Sequence, residues 1–384
     1  MLASRKWINT HHAPSFLKLW EPIVGILSKI SPLHAKGNRP LKMNFEHQLK
    51  ALIFFHLEEH TSASHLLQVL QEDECAVEYI APPGGIEKSS FSEANNTRGL
   101  EQFLQVFQEL YAHANQTVPK EYAELGELVS IDGSLIDAVL SMHWADYREG
   151  TKKAKAHLGF DINRSIPKKI FLTDGHGPER PFVSQILDAG QTGIMDRGYQ
   201  CHKTFDVLQR EEKHFVCRIK GNTKKTVIKL NDVKPGSIVF YDGLVLLGTP
   251  DVSQTEHAVR LVGYRADGNT YWVATDRHDL TAEQVALVYK LRWDIENFFA
   301  WWKRHLRVYH LIARSEHGLM VQILSGLITY LLLAIYCQEE HGEKVTIRRV
   351  RELRTRIHNE SRQGELSDVT NLKDQNAPSS YAST

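Results

Sequence analysis

The stretch YKLRWDIENFFAWWK, at residues 289–303, combines a phenol, two cations and a carboxylate at helical spacing. Read as one helix, it places Tyr289, Arg292, Glu296 and Lys303 within an arc of roughly 60°, along about 21 Å. A neighbouring arc holds the apolar residues that a core-packed helix needs, namely Leu291, Ile295, Phe298, Phe299, Trp302 and Leu306. The alternative is an amphipathic helix with ordinary surface charges. The pattern favours a metal site that handles phosphates, because a lone carboxylate stands between fixed cations.

Two aspartates upstream end short β-prone runs and come just before a glycine. GELVSIDGS at 126–134 contains Asp132, and GIMDRGY at 193–199 contains Asp196. A carboxylate on a strand is held rigidly, and the nearby glycine leaves room for a backbone or a phosphate. Either site alone is also compatible with a simple turn. The competing candidates are Asp137, which spacing does not exclude, Asp174, which heads a TDGHGPERP turn, and Asp276.

The spacing Y-x2-R-x3-E-x6-K resembles the signature of bacterial insertion-sequence transposases of the DDE class. Within that class, the resemblance is to insertion-sequence family four, whose transposases cut and paste DNA through a hairpin intermediate. In that family the glutamate is the third metal-binding carboxylate, and the other two lie upstream on an RNase H-like sheet. The resemblance therefore implies that Asp132, Asp196 and Glu296 are catalytic and bind two divalent ions, Mg²⁺ or Mn²⁺. It also implies that Tyr289, Arg292 and Lys303 hold the transposon end.

The same resemblance implies the partners and the reaction. The expected partner is double-stranded DNA, as terminal inverted repeats and as target, bound by a homodimer in a synaptic complex. The expected reaction is two-metal phosphoryl transfer, with water or a 3′-hydroxyl attacking phosphorus. Family members also flip a base onto an aromatic residue, and Trp272 is the candidate because it is the only tryptophan in 221–280. An ordinary core tryptophan is the alternative.

Charge is balanced over the whole chain but not along it. There are 46 basic and 46 acidic residues, so no global attraction to DNA is expected. Residues 197–230, which include Lys224 and Lys225, carry nine Lys or Arg against three acids. Such a patch beside a metal site predicts a path for a phosphate backbone, and a solvated surface is the alternative.

The order of elements predicts an α/β fold, with an RNase H-like mixed sheet flanked by helices. Residues 1–118 are expected to be a helical domain, either a DNA-end-binding module or a packing layer. Residues 119–345 are expected to be the catalytic domain, interrupted at 221–280 by a β-rich insertion that precedes a last catalytic helix, 281–306. Residues 346–384 are expected to be a C-terminal helix and a disordered tail. Five strands are predicted at 127–139, 154–162, 168–174, 192–196 and 214–220. Within the insertion, the ADGN turn at 266–269 is predicted to join two strands as a hairpin.

Composition points to a cytoplasmic protein, and the resemblance implies a bacterial protein associated with the nucleoid. The cysteines form no C-x-x-C pair, and the N-terminus lacks the apolar core of a secretion signal. The apolar run 318–337 carries a stripe of polar or small residues, including Gln322 and Ser325, at helical spacing. That stripe favours a buried core helix over a membrane span.

Two other functions compete with this interpretation. HLEEH at 56–60 fits the H-x-x-E-H pattern of inverted zinc peptidases, although no convincing downstream ligand follows. A catalytically silent relative that binds transposon ends as a repressor is the second, and the intact set of carboxylates argues against it.

Overall fold

A computed structural model describes residues 15–34 and 41–360. The chain divides into two compact units, Met1–Thr117 with Arg304–Thr384, and Val118–Lys303. The unit that holds the sheet therefore ends at Lys303, whereas the predicted catalytic domain runs to 345. The secretion-signal argument concerns residues that lie largely outside the described ranges, and so does the predicted disordered tail.

The chain begins with six helices and continues with strands and helices of an α/β fold. The helices are α1 (Ser15–Leu27), α2 (Phe45–Leu57), α3 (Ala63–Glu72), α4 (Glu74–Tyr79), α5 (Lys88–Thr97), α6 (Leu100–Thr117), α7 (Phe182–Ile186), α8 (His202–Arg210), α9 (Ala282–Lys290), α10 (Trp293–His305), α11 (Glu316–His341) and α12 (347–360). The strands are β1 (Glu127–Ala138), β2 (Asp146–Arg148), β3 (Thr151–Asp161), β4 (Ile166–Asp174), β5 (Gln191–Met195), β6 (His214–Arg218), β7 (Lys225–Leu230), β8 (Val239–Leu247), β9 (Val259–Ala266) and β10 (Asn269–Thr275).

The first unit is helical and is built around α11. Helix α11 is long and apolar enough to cross a membrane, but 94% of its most apolar window is buried inside the protein. Helices α1, α2, α5 and α6 pack against it. Its polar stripe is used internally, since Gln322 accepts a hydrogen bond from the Ile312 N–H at 3.0 Å and donates one to the His310 carbonyl at 2.9 Å. The prediction of a buried core helix is confirmed.

The second unit holds one mixed sheet of ten strands in the described residues. Its order is β2-β3-β1-β5-β6-β10-β9-β8-β7, with β4 also paired to β3. Strands β1, β3 and β4 are antiparallel neighbours, while β5 and β6 run parallel to β1. Strands β7 to β10 continue the sheet beyond β6 as antiparallel neighbours. This arrangement confirms the predicted RNase H-like fold with a β-rich insertion.

A single apolar cluster holds the sheet to α7 and α8. Helix α8 packs Phe205 face to face on Phe215 of β6, with ring centroids 4.3 Å apart. Helix α7 contributes Val183 and Ile186, which are fully buried. Each such side chain contributes about 1.5–3 kcal/mol by leaving water. The cluster therefore fixes β1, β5 and β6 relative to one another.

The insertion contains the predicted hairpin. Strands β9 and β10 pair up to Ala266 and Asn269, and the two residues between them are Asp267 and Gly268. Both have positive φ, 50° and 73°, as a tight two-residue hairpin turn requires. Asp-Gly is a favoured pair at such a turn, so the sequence signal was local and strong.

The expectation of one continuous helix over 281–306 is wrong, because α9 ends at Lys290 and α10 begins at Trp293. The residues between them form a tighter turn. The Arg292 N–H donates to the Tyr289 carbonyl at 3.2 Å, three residues back instead of four. The break buries the Arg292 side chain, which is 8% exposed, while Trp293 is 57% exposed.

Candidate active site

Asp132 and Asp196 lie at matching positions on neighbouring parallel strands. The register pairs Ser130 of β1 with Ile194 of β5, and each aspartate comes two residues later. Asp196 keeps an extended backbone, with φ −78° and ψ 177°, although β5 ends at Met195. Because side chains alternate along extended backbone and parallel neighbours are about 4.8 Å apart, both carboxylates point to the same face of the sheet.

Local backbone amides orient both carboxylates. The Gly133 N–H donates to Asp132 Oδ1 at 2.9 Å, and the Gly198 N–H donates to Asp196 Oδ1 at 2.7 Å. The second bond caps a single 3₁₀ turn at Arg197–Tyr199. Glycine therefore follows each aspartate closely, as the sequence analysis noted, and its amide helps to orient the acid.

Asp132 lies in an environment that disfavours its ionised form. Its pKa is raised to about 6, chiefly by burial; the charges of Asp196 and Glu179 act in the same direction, and the Gly133 amide and the Arg292 charge oppose them. A desolvated carboxylate among other carboxylates is costly unless a cation compensates it. This environment fits a divalent metal ion, which prefers oxygen ligands.

Glu296 has a different neighbour in this structure. Its Oε1 lies 2.7 Å from Arg292 Nη1, as an ion pair one helical turn apart. Arg292 in turn lies over the ring of Tyr289, 5.8 Å from its centroid. The break between α9 and α10 interrupts the single helix on which the one-face argument was based, yet Arg292 still contacts both Tyr289 and Glu296.

Lys303 anchors the end of α10 to β1. Its Nζ donates to the Leu135 carbonyl at 2.6 Å, three residues after Asp132. Burial lowers the pKa of Lys303, the charge of Lys153 does the same, and Asp137 and Asp132 oppose the shift. Helix α10 therefore reaches the strand that carries the first aspartate.

The structure brings together two of the three predicted metal ligands. Among residues 15–34 and 41–360, no three His, Cys, Asp or Glu side chains are grouped closely enough to hold an ion as they stand. Asp132 and Asp196 are aligned by the strand register, and Glu296 is held by Arg292. The donor chemistry fits a divalent cation, while convergence of all three carboxylates stays a prediction.

Residues 124–332, which contain all three acids, match the family described as the transposase DDE domain. This chain belongs to the DDE transposases. It is accordingly an enzyme of metal-dependent DNA cleavage and strand transfer, and its partner is DNA. The family assignment confirms the resemblance to bacterial insertion-sequence transposases.

Curated relatives agree with the family. The chain is 26% identical over 250 residues to transposase y4zB of Sinorhizobium fredii, covering 64% of this chain and 70% of the relative. It is 28% identical over 209 residues to the transposase for insertion sequence element IS5377 of Geobacillus stearothermophilus, covering 53% and 55%. It is 24% identical over 255 residues to the transposase for element IS4SA of Synechocystis, covering 65% and 72%. Each of the three relatives is named as a transposase.

Sequence reasoning missed one carboxylate of the transposase that lies beside Asp132. Glu179 Oε1 is 2.8 Å from the position that a Cβ on Gly133 would take. The space beside Asp132 was expected to admit a backbone or a phosphate, and Glu179 fills it instead. The available signal was Gly133 itself, but Glu179 sits in the TDGHGPERP loop that was interpreted only as a turn around Asp174.

The competing aspartates all have structural partners. Asp137 lies 2.6 Å from Lys153 Nζ on the neighbouring strand. Asp174 accepts the His176 N–H at 2.9 Å inside its turn. Asp276 accepts the Phe215 N–H at 2.9 Å. These contacts give each of them a local role away from the Asp132 and Asp196 pair.

A cleft beside Arg197 is lined by side chains of both charges. Its volume is about 570 Å³, and its lining includes the cations Arg180, Arg197, Lys203 and Lys220 and the acids Asp206, Asp251 and Glu256. Farther along, Lys224 is exposed, and Lys225 Nζ lies 4.4 Å above the ring of Trp272. These four cleft cations could line a phosphate backbone beside the acids.

Trp272 belongs to an aromatic group on the sheet. Phe240 and Tyr241 contact it edge-on, with ring centroids 5.3 Å and 5.2 Å away. Its side chain is partly buried and packs against the sheet core. The residue therefore has the contacts of a core-edge tryptophan, and stacking with a base requires Lys225 to leave its ring.

The H-x-x-E-H residues serve the packing of the first unit. His56 is fully buried, with Nδ1 2.6 Å from the Leu306 carbonyl oxygen, and burial lowers its pKa to about 4. Glu59 is paired with Arg307 at 3.2 Å and with Arg354 at 2.5 Å. These partners account for the motif, and nothing in it supports a zinc peptidase.

Proposed function

We propose that the transposase cuts and rejoins insertion-sequence ends with two divalent cations, Mg²⁺ or Mn²⁺, held by Asp132, Asp196 and Glu296. The supporting observation is the alignment of Asp132 and Asp196 on neighbouring parallel strands. Cations bound there would supply charge neutralisation at phosphorus and a lower pKa for the attacking water or 3′-hydroxyl. Displacement at phosphorus then depends mainly on positioning, which rigid strands provide.

The ion pair between Arg292 and Glu296 becomes a switch in this proposal. Glu296 turns from Arg292 to the metal centre, and the freed guanidinium grips a phosphate through two parallel hydrogen bonds. Lys303 adds a point charge on the same helix. Tyr289 lines a cavity of about 670 Å³ with Tyr264 and Tyr271, where it can donate to a phosphate or stack on a base.

The Y-R-E-K spacing supports a reaction of the family four type, through a hairpin intermediate. A base near the end would leave the duplex and stack on an aromatic side chain, for which Trp272 is the candidate. Lys225 lies over that ring and would move to the phosphate next to the flipped base. This exchange keeps the lysine charge paired in both states.

Cutting two ends together requires two active sites, so a homodimer that pairs terminal inverted repeats and target DNA is part of the proposal. The proposed location is the cytoplasm, on the nucleoid, which agrees with the burial of the apolar helix α11 inside the first unit.

The experiment uses the purified full chain and duplex DNA taken from the boundaries of its own element. We expect cleavage at the inverted repeat with Mg²⁺ or Mn²⁺, and none with EDTA, because the three carboxylates are themselves negative and only the cations can offset the charge that builds on the phosphate oxygens. Denaturing gels resolve nicks, hairpins and joined products. Binding of the ends without cleavage under all metal conditions would instead favour the silent repressor.

Removing Lys224 and Lys225 together should weaken DNA binding and flatten its salt dependence. Each phosphate contact releases counterions, so the double alanine variant should lower the slope of log K against log salt by about 2. Fluorescence anisotropy at several salt concentrations measures the slope. The matched control, Lys18→Ala with Lys29→Ala, removes two exposed charges that pair with Glu340 and Glu109. Equal slopes in all three proteins would make the patch an ordinary solvated surface.

A further inference from the structure

The loop 175–181 after β4 is hydrogen-bonded to two neighbouring strands through its first three residues. The Gly175 N–H donates to the Asp146 carbonyl at 3.1 Å, and Lys155 Nζ donates to the Gly177 carbonyl at 3.1 Å. These bonds attach the loop to β2 and β3. Its next acidic side chain, Glu179, is therefore delivered to a fixed place at the sheet.

That place is the edge of the Asp132 and Asp196 pair. Glu179 Oε1 would stand 2.8 Å from a Cβ on Gly133, so a glycine is needed there while the glutamate keeps its position. The charge of Glu179 also acts on the Asp132 carboxyl. Three carboxylates thus face one region, carried by two strands and a tied loop.

A buried phenol lies among the same acids. Tyr199 is 2% exposed, and no described residue meets its hydroxyl with ideal hydrogen-bond geometry. Burial raises the pKa of Tyr199, the charges of Glu179, Asp132 and Asp196 raise it further, and the approach of its hydroxyl to the Glu179 carboxylate acts in the same direction. The phenol therefore places a hydrogen-bond donor beside Glu179, at the edge of the aspartate pair.

Lys155 neutralises Glu179 in the present state. Its Nζ lies 3.3 Å from Glu179 Oε1, and the two side chains are 16% and 30% exposed. Lys155 therefore stands to Glu179 as Arg292 stands to Glu296. Each glutamate near the aspartates is held by a basic side chain that a divalent cation would make redundant.

We propose that Glu179 is a further carboxylate of the metal centre, which joins Asp132 and Asp196 around the divalent cation when it releases Lys155. The inference rests on the proposed function, since it concerns the same site. Lys155, once released, is a cation beside the reacting phosphate and pairs with it. Glu179 thereby couples occupation of the metal centre to readiness for DNA.

The test titrates the full chain with Mn²⁺ alone, by calorimetry, without DNA. Glu179→Gln should weaken Mn²⁺ binding roughly 10- to 100-fold, as loss of a ligand or its support does. Lys155→Gln should bind Mn²⁺ at least as tightly as the parent, because the competitor for Glu179 is gone. Glu124→Gln, which removes an exposed carboxylate from the start of the same unit, should bind like the parent.

The change in Mn²⁺ affinity of Lys155→Gln shows whether Glu179 is a metal ligand or only part of a structural ion pair. If Lys155→Gln and Glu179→Gln both weaken Mn²⁺ binding, the ion pair only holds the loop and the inference is overturned. That comparison stands on Lys155→Gln alone if Glu179→Gln does not fold. Asp132→Asn, titrated in parallel, distinguishes failure of this inference from failure of the proposed metal site. Weak binding in Asp132→Asn with parental binding in Glu179→Gln overturns this inference only, whereas parental binding in both overturns the proposed site as well.

Discussion

Asp132→Asn should slow metal-dependent strand cleavage by about 10³-fold or more, because a metal ligand supplies several kcal/mol of transition-state charge stabilisation and each 1.36 kcal/mol is tenfold in rate. Asparagine keeps the shape of the side chain and can still accept the Gly133 N–H bond. Affinity for element ends should therefore stay close to that of the parent. Single-turnover cleavage and end-binding assays measure the two quantities separately.

The same variant should be more stable than the parent without metal. Burial raises the pKa of Asp132 to about 6, so ionising it costs folding free energy. This cost is absent below about pH 4, near the unfolded pKa, and complete above about pH 6. Thermal unfolding in EDTA should therefore favour Asp132→Asn increasingly from about pH 4 to about pH 6, and by a constant margin above that. A loss of cleavage together with a gain in stability cannot come from misfolding.

Asp137→Asn is the matched control on the same strand. Asp137 is exposed and paired with Lys153, so its loss removes only a surface ion pair, worth about 0–1 kcal/mol. We expect this variant to cleave like the parent. Equal loss of cleavage in both variants, or normal cleavage by Asp132→Asn, would show that Asp132 is not the first catalytic carboxylate.

The sequence predicted those parts of the site that short-range patterns determine. Asp132 and Asp196 were found because each ends a β-prone run before a glycine, and their alignment follows from ordinary parallel pairing. The hairpin at Asp267 was equally local. The fold followed from the order of strands and helices, since right-handed parallel connections leave few ways to assemble them.

The missing parts depend on contacts between distant segments. Residues 291–292 look helical in isolation, but in the structure they form a turn at which the Arg292 side chain is buried. Glu179 approaches Gly133 across 46 positions of sequence, through a loop tied to β2 and β3. The periodicity of a sequence carries no information about contacts between distant segments. For the same reason it did not predict the Leu135 partner of Lys303.

The three charged residues of the signature should separate into two roles. Glu296→Gln should weaken metal binding roughly 10- to 100-fold and leave end binding near that of the parent, because a carboxylate ligates hard cations. Arg292→Lys and Lys303→Ala should do the reverse, since basic groups repel cations and attract phosphate. Arg292→Lys should still be damaging, because a planar fork becomes a point charge. Mn²⁺ titration and end-binding assays on the three variants measure both roles.

The structure sharpens what these variants can reveal. Arg292 holds Glu296 at 2.7 Å, so if the pair opens on metal binding, Arg292→Lys should bind Mn²⁺ no more weakly than the parent. Lys303 contacts the Leu135 carbonyl, so Lys303→Ala needs a partner variant, Lys303→Gln, that keeps a donor at that place without the charge. Failure of both variants to bind ends would indicate that the charge of Lys303 is needed, while restored end binding in Lys303→Gln would indicate that Lys303 only anchors α10 to β1. In that second case Lys303 leaves the signature, and the DNA grip would come from Arg292 and the cleft cations near Asp196.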